Sequence, residues 1–140
     1  MKEIKSIAIT GKGGTGKTML ATIMIQLLAE RYRGGVLAID ADSAMSLPYT
    51  LGIPVQKTVS SLRKEVIGPG QLRDKMVNQD LKSWMSSILA PGDGFDLLAM
   101  GRPEEPGCFC SVNELLRYGI DALINSYKIT VIDGEAGPEQ

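Results

Sequence analysis

The sequence contains no histidine among its 140 residues, and this absence excludes several kinds of active site. Histidine is the side chain whose unperturbed pKa lies closest to neutral pH, and its imidazole is a common metal ligand. Without it the chain cannot build a Ser-His-Asp triad, a Cys-His nucleophile pair or an HExxH zinc site. Any acid, base or metal ligand must therefore be a carboxylate, a lysine, a thiol or water.

Long apolar runs and an excess of charge of one sign are also missing. No run approaches the roughly 18 to 20 residues that a membrane-spanning helix needs, and the N-terminus, Met1 to Lys5, does not resemble a signal peptide. Lys and Arg total 15 and Asp and Glu total 16, so the chain has no large positive field for nucleic acid or anionic lipid. These absences predict a cytoplasmic protein with no membrane partner and no nucleic-acid partner.

Cysteine is scarce, and the chain length is typical of one domain. At roughly 150 residues per domain, the 140 residues predict a single domain over 1–140 with no internal repeat or linker. The two cysteines are Cys108 and Cys110. In a cytoplasmic protein we expect both to be reduced thiols and not a disulfide.

Apolar runs alternate with helical patterns along the chain. Strands are predicted at 4–10, 36–39, 95–100 and 129–132, and helices at 17–32, 58–66, 71–89 and 112–127. In the first helix the apolar residues recur at spacings of three and four, which predicts an amphipathic helix: Leu20, Ile23, Met24, Leu27 and Leu28. A helical crossover makes the strands it joins parallel. The sequence therefore predicts an α/β fold with a mainly parallel sheet flanked by helices.

A glycine-rich segment between the first strand and the first helix fits the pattern G-x-x-x-x-G-K-[ST]. Its residues are Gly11, Lys12, Gly13, Gly14, Thr15, Gly16, Lys17 and Thr18. In such a loop the backbone N–H groups and the helix N-terminus bind phosphate oxygens. Lys17 is placed to contact the β- and γ-phosphates, and the Thr18 hydroxyl is the expected protein ligand of Mg²⁺.

Lys12 is unusual for this kind of loop, because two lysines in one phosphate cradle repel each other unless each faces negative charge. The run from Lys12 to Thr18 resembles the deviant Walker A motif of the MinD, ParA and nitrogenase iron protein ATPases. The resemblance implies a P-loop NTPase fold of the SIMIBI type that binds ATP and Mg²⁺. It also implies a homodimer in which Lys12 reaches the partner's phosphates, as an arginine finger does.

Three aspartates follow strands that are expected to end near this loop. In an open parallel sheet, ligands bind outside the carboxyl ends of the strands. By resemblance, Asp42 matches the switch I residue that orients the attacking water, and Asp133 matches the residue that holds Mg²⁺ through water. Asp40 is a further candidate for the magnesium shell. Residues 133–137 correspond to switch II, and Ser43 stands where the family's usual Asp-x-Asp-Pro has proline.

Cys108 and Cys110 lie in a predicted loop before the helix at 112–127. Two thiols are half of the four ligands of a tetrahedral thiolate site, and a two-fold dimer would bring four together. Taken alone, the pair is a weak signal that favours incidental thiols over a metal site. Thiolate ligands suit Zn²⁺, Ni²⁺ or an iron–sulfur cluster, and ligand type does not choose among them.

The surrounding residues GRPEEPGCFC (101–110) and VNELLR (112–117) resemble the carbon monoxide dehydrogenase maturation ATPases of the CooC type. That resemblance implies Ni²⁺ or Zn²⁺ bound at a Cys-x-Cys shared between subunits. It also implies delivery of nickel to apo carbon monoxide dehydrogenase or a similar nickel enzyme. The chain matches the N-terminal portion of the usual family domain, so we expect it to be truncated at the C-terminus.

Two other functions fit the same nucleotide motif. A MinD- or ParA-type positioning ATPase cycles on membrane or DNA, and such a protein is expected to carry an amphipathic C-terminal helix or a basic patch. An ATP-driven electron donor like the nitrogenase iron protein bridges its subunits with an iron–sulfur cluster. Its cluster cysteines come from two separate segments, whereas Cys108 and Cys110 lie in one.

Overall fold

A computed structural model describes residues 5–66, 81–103 and 108–135, which form a five-stranded sheet with helices on both faces. The strands are β1 (Ser6–Ile9), β2 (Val36–Ala41), β3 (Ala90–Pro91), β4 (Phe95–Ala99) and β5 (Ile129–Gly134). The helices are α1 (Lys17–Arg31), α2 (Ser46–Leu51), α3 (Val59–Val66), α4 (Leu81–Ser87) and α5 (Cys108–Leu123), and a short 3-10 helix covers Ile124–Ser126.

The strand order β1-β5-β2-β4-β3 places the last strand of the described chain between β1 and β2. The pairs β1–β5, β5–β2 and β2–β4 are parallel, and only β3, in the described residues, runs antiparallel, against β4. The predicted mainly parallel α/β sheet is confirmed. Because β1, β5 and β2 are parallel neighbours, the segments that follow them leave the sheet at the same edge.

Both faces of the sheet are covered, so its central strand is apolar on both sides, as is typical of buried parallel strands. In β2, Val36 and Ala38 belong to the apolar cluster that includes α1 and α2. Leu37 and Ile39 belong to the cluster on the opposite face with α3, α4 and α5. The alternation follows from the two-residue period of a strand. As a result, β2 contributes side chains to both cores.

The structure adds two elements to the predicted set and shifts the start of a third. Helix α2 and the two-residue strand β3 were not predicted. Helix α5 begins at Cys108, so the backbone of the cysteine pair belongs to its first turn and not to a preceding loop. Of the helix predicted at 71–89, residues 81–87 are helical as α4. Residue 4, residues 67–80, residues 104–107 and residues 136–137 of the predicted switch II segment lie outside the described residues.

The bounds of α1 match the prediction, but its buried face is not the one that its large apolar residues indicate. Ala21, Ile25 and Ala29 face the sheet at a spacing of four. Large apolar side chains of the same helix are exposed: Met19, Leu20, Ile23 and Leu27. Small residues on the inner face let the helix pack close to the strands, so residue size and not hydrophobicity alone decides the orientation of α1.

Among the described residues, no helix combines the length and apolar character needed to cross a membrane.

Gly101, just after β4, lies against the start of α3. The helix is capped reciprocally there, since the Thr58 N–H donates to Ser61 Oγ at 2.8 Å and the Ser61 N–H donates to Thr58 Oγ1 at 3.1 Å. Gly101 has a φ of 77°, and a Cβ at this position would clash with the Thr58 side chain. The close approach of β4 to α3 therefore requires glycine at this position.

We predict that Gly101→Ala lowers the free energy of unfolding by about 3 kcal/mol, because it adds a clash to a strained φ. Gly34→Ala is the matched control: Gly34 has a similar φ of 72°, but nothing lies within 4 Å of the added Cβ. That variant should lose only about 1 kcal/mol. Urea unfolding measures both, and equal losses in the two variants would contradict the clash.

Candidate functional site

The glycine-rich loop leaves β1 and enters α1 at the edge of the sheet where the carboxyl ends of the strands lie. Three of its glycines have positive φ: Gly11, Gly14 and Gly16. Gly16 is the N-cap of α1 and has a φ of 88°. A residue with a side chain would be strained in this left-handed conformation. The predicted setting of a phosphate-binding loop, after a strand and before a helix, is confirmed in the structure.

The two lysines of the loop differ in where their side chains lie. The Lys17 ammonium donates to the Lys12 carbonyl oxygen at 2.9 Å, and the Thr15 hydroxyl donates to the same oxygen at 2.7 Å. Lys17 thus lies inside the loop, next to the N-terminus of α1. The Lys12 side chain is exposed, so it is accessible to a group outside the chain.

Thr18 and Asp133 form the contact between the glycine-rich loop and β5. The Thr18 hydroxyl donates to Asp133 Oδ2 at 2.7 Å. Asp133 is 2 % exposed. Burial raises the pKa of Asp133, as does the charge of Asp42, while the Thr18 hydrogen bond and Lys17 act in the opposite direction. A hydroxyl beside a buried carboxylate is an oxygen pair of the kind that Mg²⁺ accepts, so these two residues fit the predicted magnesium site.

Asp40 pairs in register with Asp133 across β2 and β5, and its side chain is fully buried. Its Oδ1 accepts the Asp42 N–H at 3.0 Å and its Oδ2 accepts the Leu47 N–H at 3.2 Å. Burial, and to a smaller extent the charges of Asp133 and Asp42, raise the pKa of Asp40 to about 6 despite these two hydrogen bonds. The carboxylate is directed at the backbone of the loop that follows β2.

Asp42 begins that loop, and its Oδ1 accepts the Ala44 N–H at 2.9 Å. The next residue, Ser43, donates its hydroxyl to Glu135 Oε1 at 3.2 Å. This hydrogen bond joins the loop after β2 to the residue after β5. A proline at position 43 could not make it, so the serine at the family's proline position links the two predicted switch segments directly.

A cleft of about 510 Å³ lies between the glycine-rich loop, α2 and the two switch segments. The residues that line it include predicted ones, namely Gly13, Gly14, Gly16, Lys17, Thr18 and Asp42. Its other lining residues were given no individual role from the sequence: Met19, Ser46, Thr50, and Glu135 of the predicted switch II segment. Thr50 is tied to α1 by a 2.6 Å hydrogen bond between its hydroxyl and that of Thr22. The structure thus brings the phosphate loop and Asp42 to one cleft, with Asp133 hydrogen-bonded to Thr18 beside it.

A second cleft, of about 500 Å³, lies on the other side of the loop after β2, between that loop and Arg102. Its lining residues are Ser43, Ala44, Met45 and Arg102. Cys108 follows six positions later at the start of α5. The placement of the Cys108 and Cys110 side chains lies outside what the structure describes, and no group of three or more acidic, thiol or imidazole ligands occurs within the described residues.

Asp40 makes stability depend on pH in a direction that can be tested. Its pKa of about 6 in the fold lies above its ordinary value of 3.8. Between these values the folded chain binds more protons than the unfolded chain, so stability falls as pH rises. We predict that Asp40 lowers the free energy of unfolding by about 1 kcal/mol between pH 5 and pH 7.

Asp40→Asn should remove that component, so the difference between unfolding free energies at pH 5 and pH 7 shifts by the same amount. Asp121→Asn, a substitution at an exposed position of α5, is the control and should leave the difference unchanged. Urea titrations at the two pH values give the measurement. An identical pH dependence in Asp40→Asn and the unchanged chain would contradict the raised pKa of Asp40 in the fold.

Similar proteins occur in both archaea and bacteria. An uncharacterized ATP-binding protein of Methanocaldococcus jannaschii is 44% identical over 137 residues, which cover 95% of this chain and 54% of that protein. The carbon monoxide dehydrogenase accessory protein CooC of Rhodospirillum rubrum is 29% identical over 147 residues, covering 95% of this chain and 55% of that one. The chain spans about half the length of the curated relatives it matches.

A solved structure, a plasmid partition protein of Borrelia burgdorferi, has the same fold, with a TM-score of 0.56 at 22% identity. The match covers 96% of this chain and 56% of that one. Residues 6–132 match the CobQ/CobB/MinD/ParA nucleotide binding domain, a range that includes the glycine-rich loop and all but the end of β5. Because this match covers most of the chain, the chain belongs to the CobQ/CobB/MinD/ParA family of nucleotide-binding domains.

Proposed function

We propose that the protein is a Mg²⁺-dependent ATPase whose nucleotide state controls a metal site formed by Cys108 and Cys110. The observation that carries the proposal is the Thr18–Asp133 hydrogen bond beside the glycine-rich loop. It joins the hydroxyl and carboxylate expected for magnesium at the mouth of a cleft of about 510 Å³. Magnesium, when bound, neutralises charge on the β- and γ-phosphates.

In this proposal each residue of the cleft has a separate task. The loop amides and the N-terminus of α1 bind phosphate oxygens, and Lys17 leaves the Lys12 carbonyl to pair with the phosphates. Thr18 and Asp133 would hold the magnesium ion. Asp42, on the opposite wall of the cleft, orients the water that attacks the γ-phosphate. Positioning and charge neutralisation account for most of phosphoryl transfer, so no residue has to act as a strong base.

Lys12 supports a dimer as the hydrolysing form. Its carbonyl is held by Thr15 and Lys17, while its side chain is exposed on the outside of the loop. In a two-fold dimer that encloses nucleotide, each Lys12 would reach the phosphates of the partner. A cation supplied in this way stabilises charge in the transition state and adds about 10³ to 10⁵ to the rate.

Substitution of the two lysines should separate binding from hydrolysis. Lys17→Ala should weaken Mg-ATP binding at least about tenfold, because it removes the cation inside the loop. Lys12→Ala should keep ATP affinity within about threefold while phosphate release falls about 10³-fold and the ATP-dependent dimer is lost. Calorimetry, phosphate release and sedimentation with and without Mg-ATP measure these effects, and Lys82→Ala, at an exposed position on α4, is the control.

Equal loss of ATP affinity in Lys12→Ala and Lys17→Ala would contradict the division of tasks. A strict monomer with Mg-ATP and metal present would contradict both the trans role of Lys12 and the shared metal site.

The backbone connects the nucleotide cleft to the cysteine pair by a short route. The Met100 N–H donates to the Asp40 carbonyl oxygen at 2.8 Å, which ties the end of β4 to the end of β2. Arg102 follows and lines the second cleft with residues of the loop after β2. The chain then reaches Cys108 and Cys110 in the first turn of α5. In this proposal a change in the loop after β2 acts on the cysteine pair through the end of β4 and Arg102.

The metal function that we propose for this site is nickel delivery to a carbon monoxide dehydrogenase or a similar enzyme. The similarity to CooC of Rhodospirillum rubrum supports that client. Without histidine, Cys108 and Cys110 provide the thiolates that suit Ni²⁺ or Zn²⁺. Ni²⁺ would be cargo, and Zn²⁺ binds the same ligands. Two cysteines per chain supply four thiolates only in a dimer.

The cysteine site predicts one Ni²⁺ or Zn²⁺ per two chains in the presence of Mg-ATP, measured anaerobically by equilibrium dialysis and metal analysis. Cys108→Ser and Cys110→Ser should each weaken metal binding at least about tenfold, because each removes two of four thiolates from the dimer. Asn113→Ala, at an exposed position of the same helix, is the control. Binding that survives the double substitution would contradict the site.

Two further experiments test the alternative functions. Visible absorption after anaerobic reconstitution with iron and sulfide would favour an ATP-driven electron donor with a bridging cluster. ATP-dependent sedimentation with liposomes or DNA would favour a positioning ATPase. The near balance of 15 basic and 16 acidic residues argues against a positioning ATPase, because binding to phosphate backbones and anionic lipids depends on positive charge.

A further inference from the structure

Asp40 contacts both ends of the loop that forms one wall of the nucleotide cleft. We call residues 42–47, the connection after β2 together with the first two residues of α2, the β2–α2 loop. One carboxylate oxygen of Asp40 accepts the N–H of Asp42, the first residue of this loop, at 3.0 Å, and the other accepts the N–H of Leu47, the last, at 3.2 Å. A single side chain therefore closes the loop, in the way that a short crosslink would.

The loop needs such a closure, because its own backbone is strained. Met45 has a φ of 55°, the one positive φ of a non-glycine residue in the part of the chain that the structure describes. Between the two ends lie residues that contact both clefts, with Asp42 and Ser46 lining the nucleotide cleft and Ser43 and Met45 lining the second one. The conformation of the loop therefore decides where Asp42 lies relative to the phosphate loop.

Asp40 is itself held rigidly, so it can impose a position on the loop. Its side chain is completely buried, and its backbone pairs with β4 and β5 on either side. Its carbonyl oxygen accepts the Met100 N–H at 2.8 Å. A buried carboxylate is costly unless its oxygens are hydrogen-bonded, and here both oxygens are used on loop amides. The group is committed to the loop and not directed at the cleft.

We propose that Asp40 is a positioning residue for hydrolysis: by binding the Asp42 and Leu47 amides, it fixes the β2–α2 loop and with it the carboxylate of Asp42. This role replaces the magnesium contact that the sequence suggested for Asp40. It rests on the proposed function in one respect, the assignment of Asp42 as the residue that orients water. Asp40 acts through the loop and does not touch ATP, water or metal.

The first test is hydrogen exchange of the nucleotide-free chain, which needs no enzymatic activity. Asp40→Ala removes both acceptors, so the Asp42 and Leu47 amides should exchange about tenfold faster or more. Asp40→Asn keeps one acceptor oxygen and should protect only one of the two amides, which also provides a readout if the alanine variant does not fold. Thr130→Val, at another buried polar position of the sheet, is the control and should leave both amides unchanged.

The second test is the dependence of hydrolysis on ATP and Mg²⁺. For a positioning residue, kcat should fall about 10- to 100-fold in Asp40→Ala, with partial recovery in Asp40→Asn, since a displacement of about 1 Å can cost that much. The KM for ATP and the Mg²⁺ concentration at half-maximal rate should both stay within about threefold of the unchanged chain, because Lys17, Thr18 and Asp133 are untouched.

The outcomes separate this inference from the proposed function. Unchanged exchange at both amides in Asp40→Ala and Asp40→Asn would overturn it whether or not the chain hydrolyses ATP. A kcat that recovers at tenfold higher Mg²⁺ would assign Asp40 to the magnesium shell and would also overturn it. If the unchanged chain shows no hydrolysis, the ATPase proposal fails, while faster exchange in Asp40→Ala would still establish that Asp40 holds the loop.

Discussion

The parallel pairing of β5 between β1 and β2 is the constraint on which the rest of the site depends. Strands that run in the same direction leave the sheet at one edge, and three chain segments distant in sequence meet there. Ile9 pairs with Asp133 at the end of β1, and Asp40 pairs with Asp133 from the other side. The glycine-rich loop, the β2–α2 loop and Glu135 therefore lie around one cleft because of the strand order, before any side-chain contact is considered.

That convergence concentrates negative charge at the edge of the sheet. Burial raises the pKa of both Asp40 and Asp133, and the charge of Asp42 acts on each of them in the same direction. The two carboxylates respond differently. Asp133 accepts a hydrogen bond from a hydroxyl of the phosphate loop, while Asp40 accepts hydrogen bonds from two backbone amides of the segment that follows it. One carboxylate is therefore joined to the phosphate loop beside the cleft and the other to the loop after β2, although both lie at equivalent points of neighbouring strands.

The sequence was sufficient to predict the parts of the molecule whose structure depends on residues that are adjacent in the chain. The glycine-rich loop, α1 and the apolar strands have signals that depend on adjacent residues, and the structure confirms them. Helix α2 was missed because it has six residues, one of them Pro48, and it is stabilised by distant contacts such as the Thr22–Thr50 hydrogen bond. The buried face of α1 was also beyond the sequence, because Ala21 and Ala29 contact the sheet where larger residues would be expected.

The roles of Asp40 and Asp42 show why spacing alone cannot assign a carboxylate. They lie two positions apart at the end of one strand, and successive residues of a strand alternate in direction while residues two apart point the same way. The sequence would therefore direct both side chains at the cleft. The chain leaves the sheet between them, at Ala41, and turns back so that Leu47 meets Asp40. This turn brings two backbone amides to the first aspartate, so Asp40 binds the loop while Asp42 lines the cleft, and this is visible only once the path of the backbone is known. The proposed coupling of nucleotide and metal depends on the same residue, because the Asp40 carbonyl oxygen also accepts the N–H of Met100, the residue after β4.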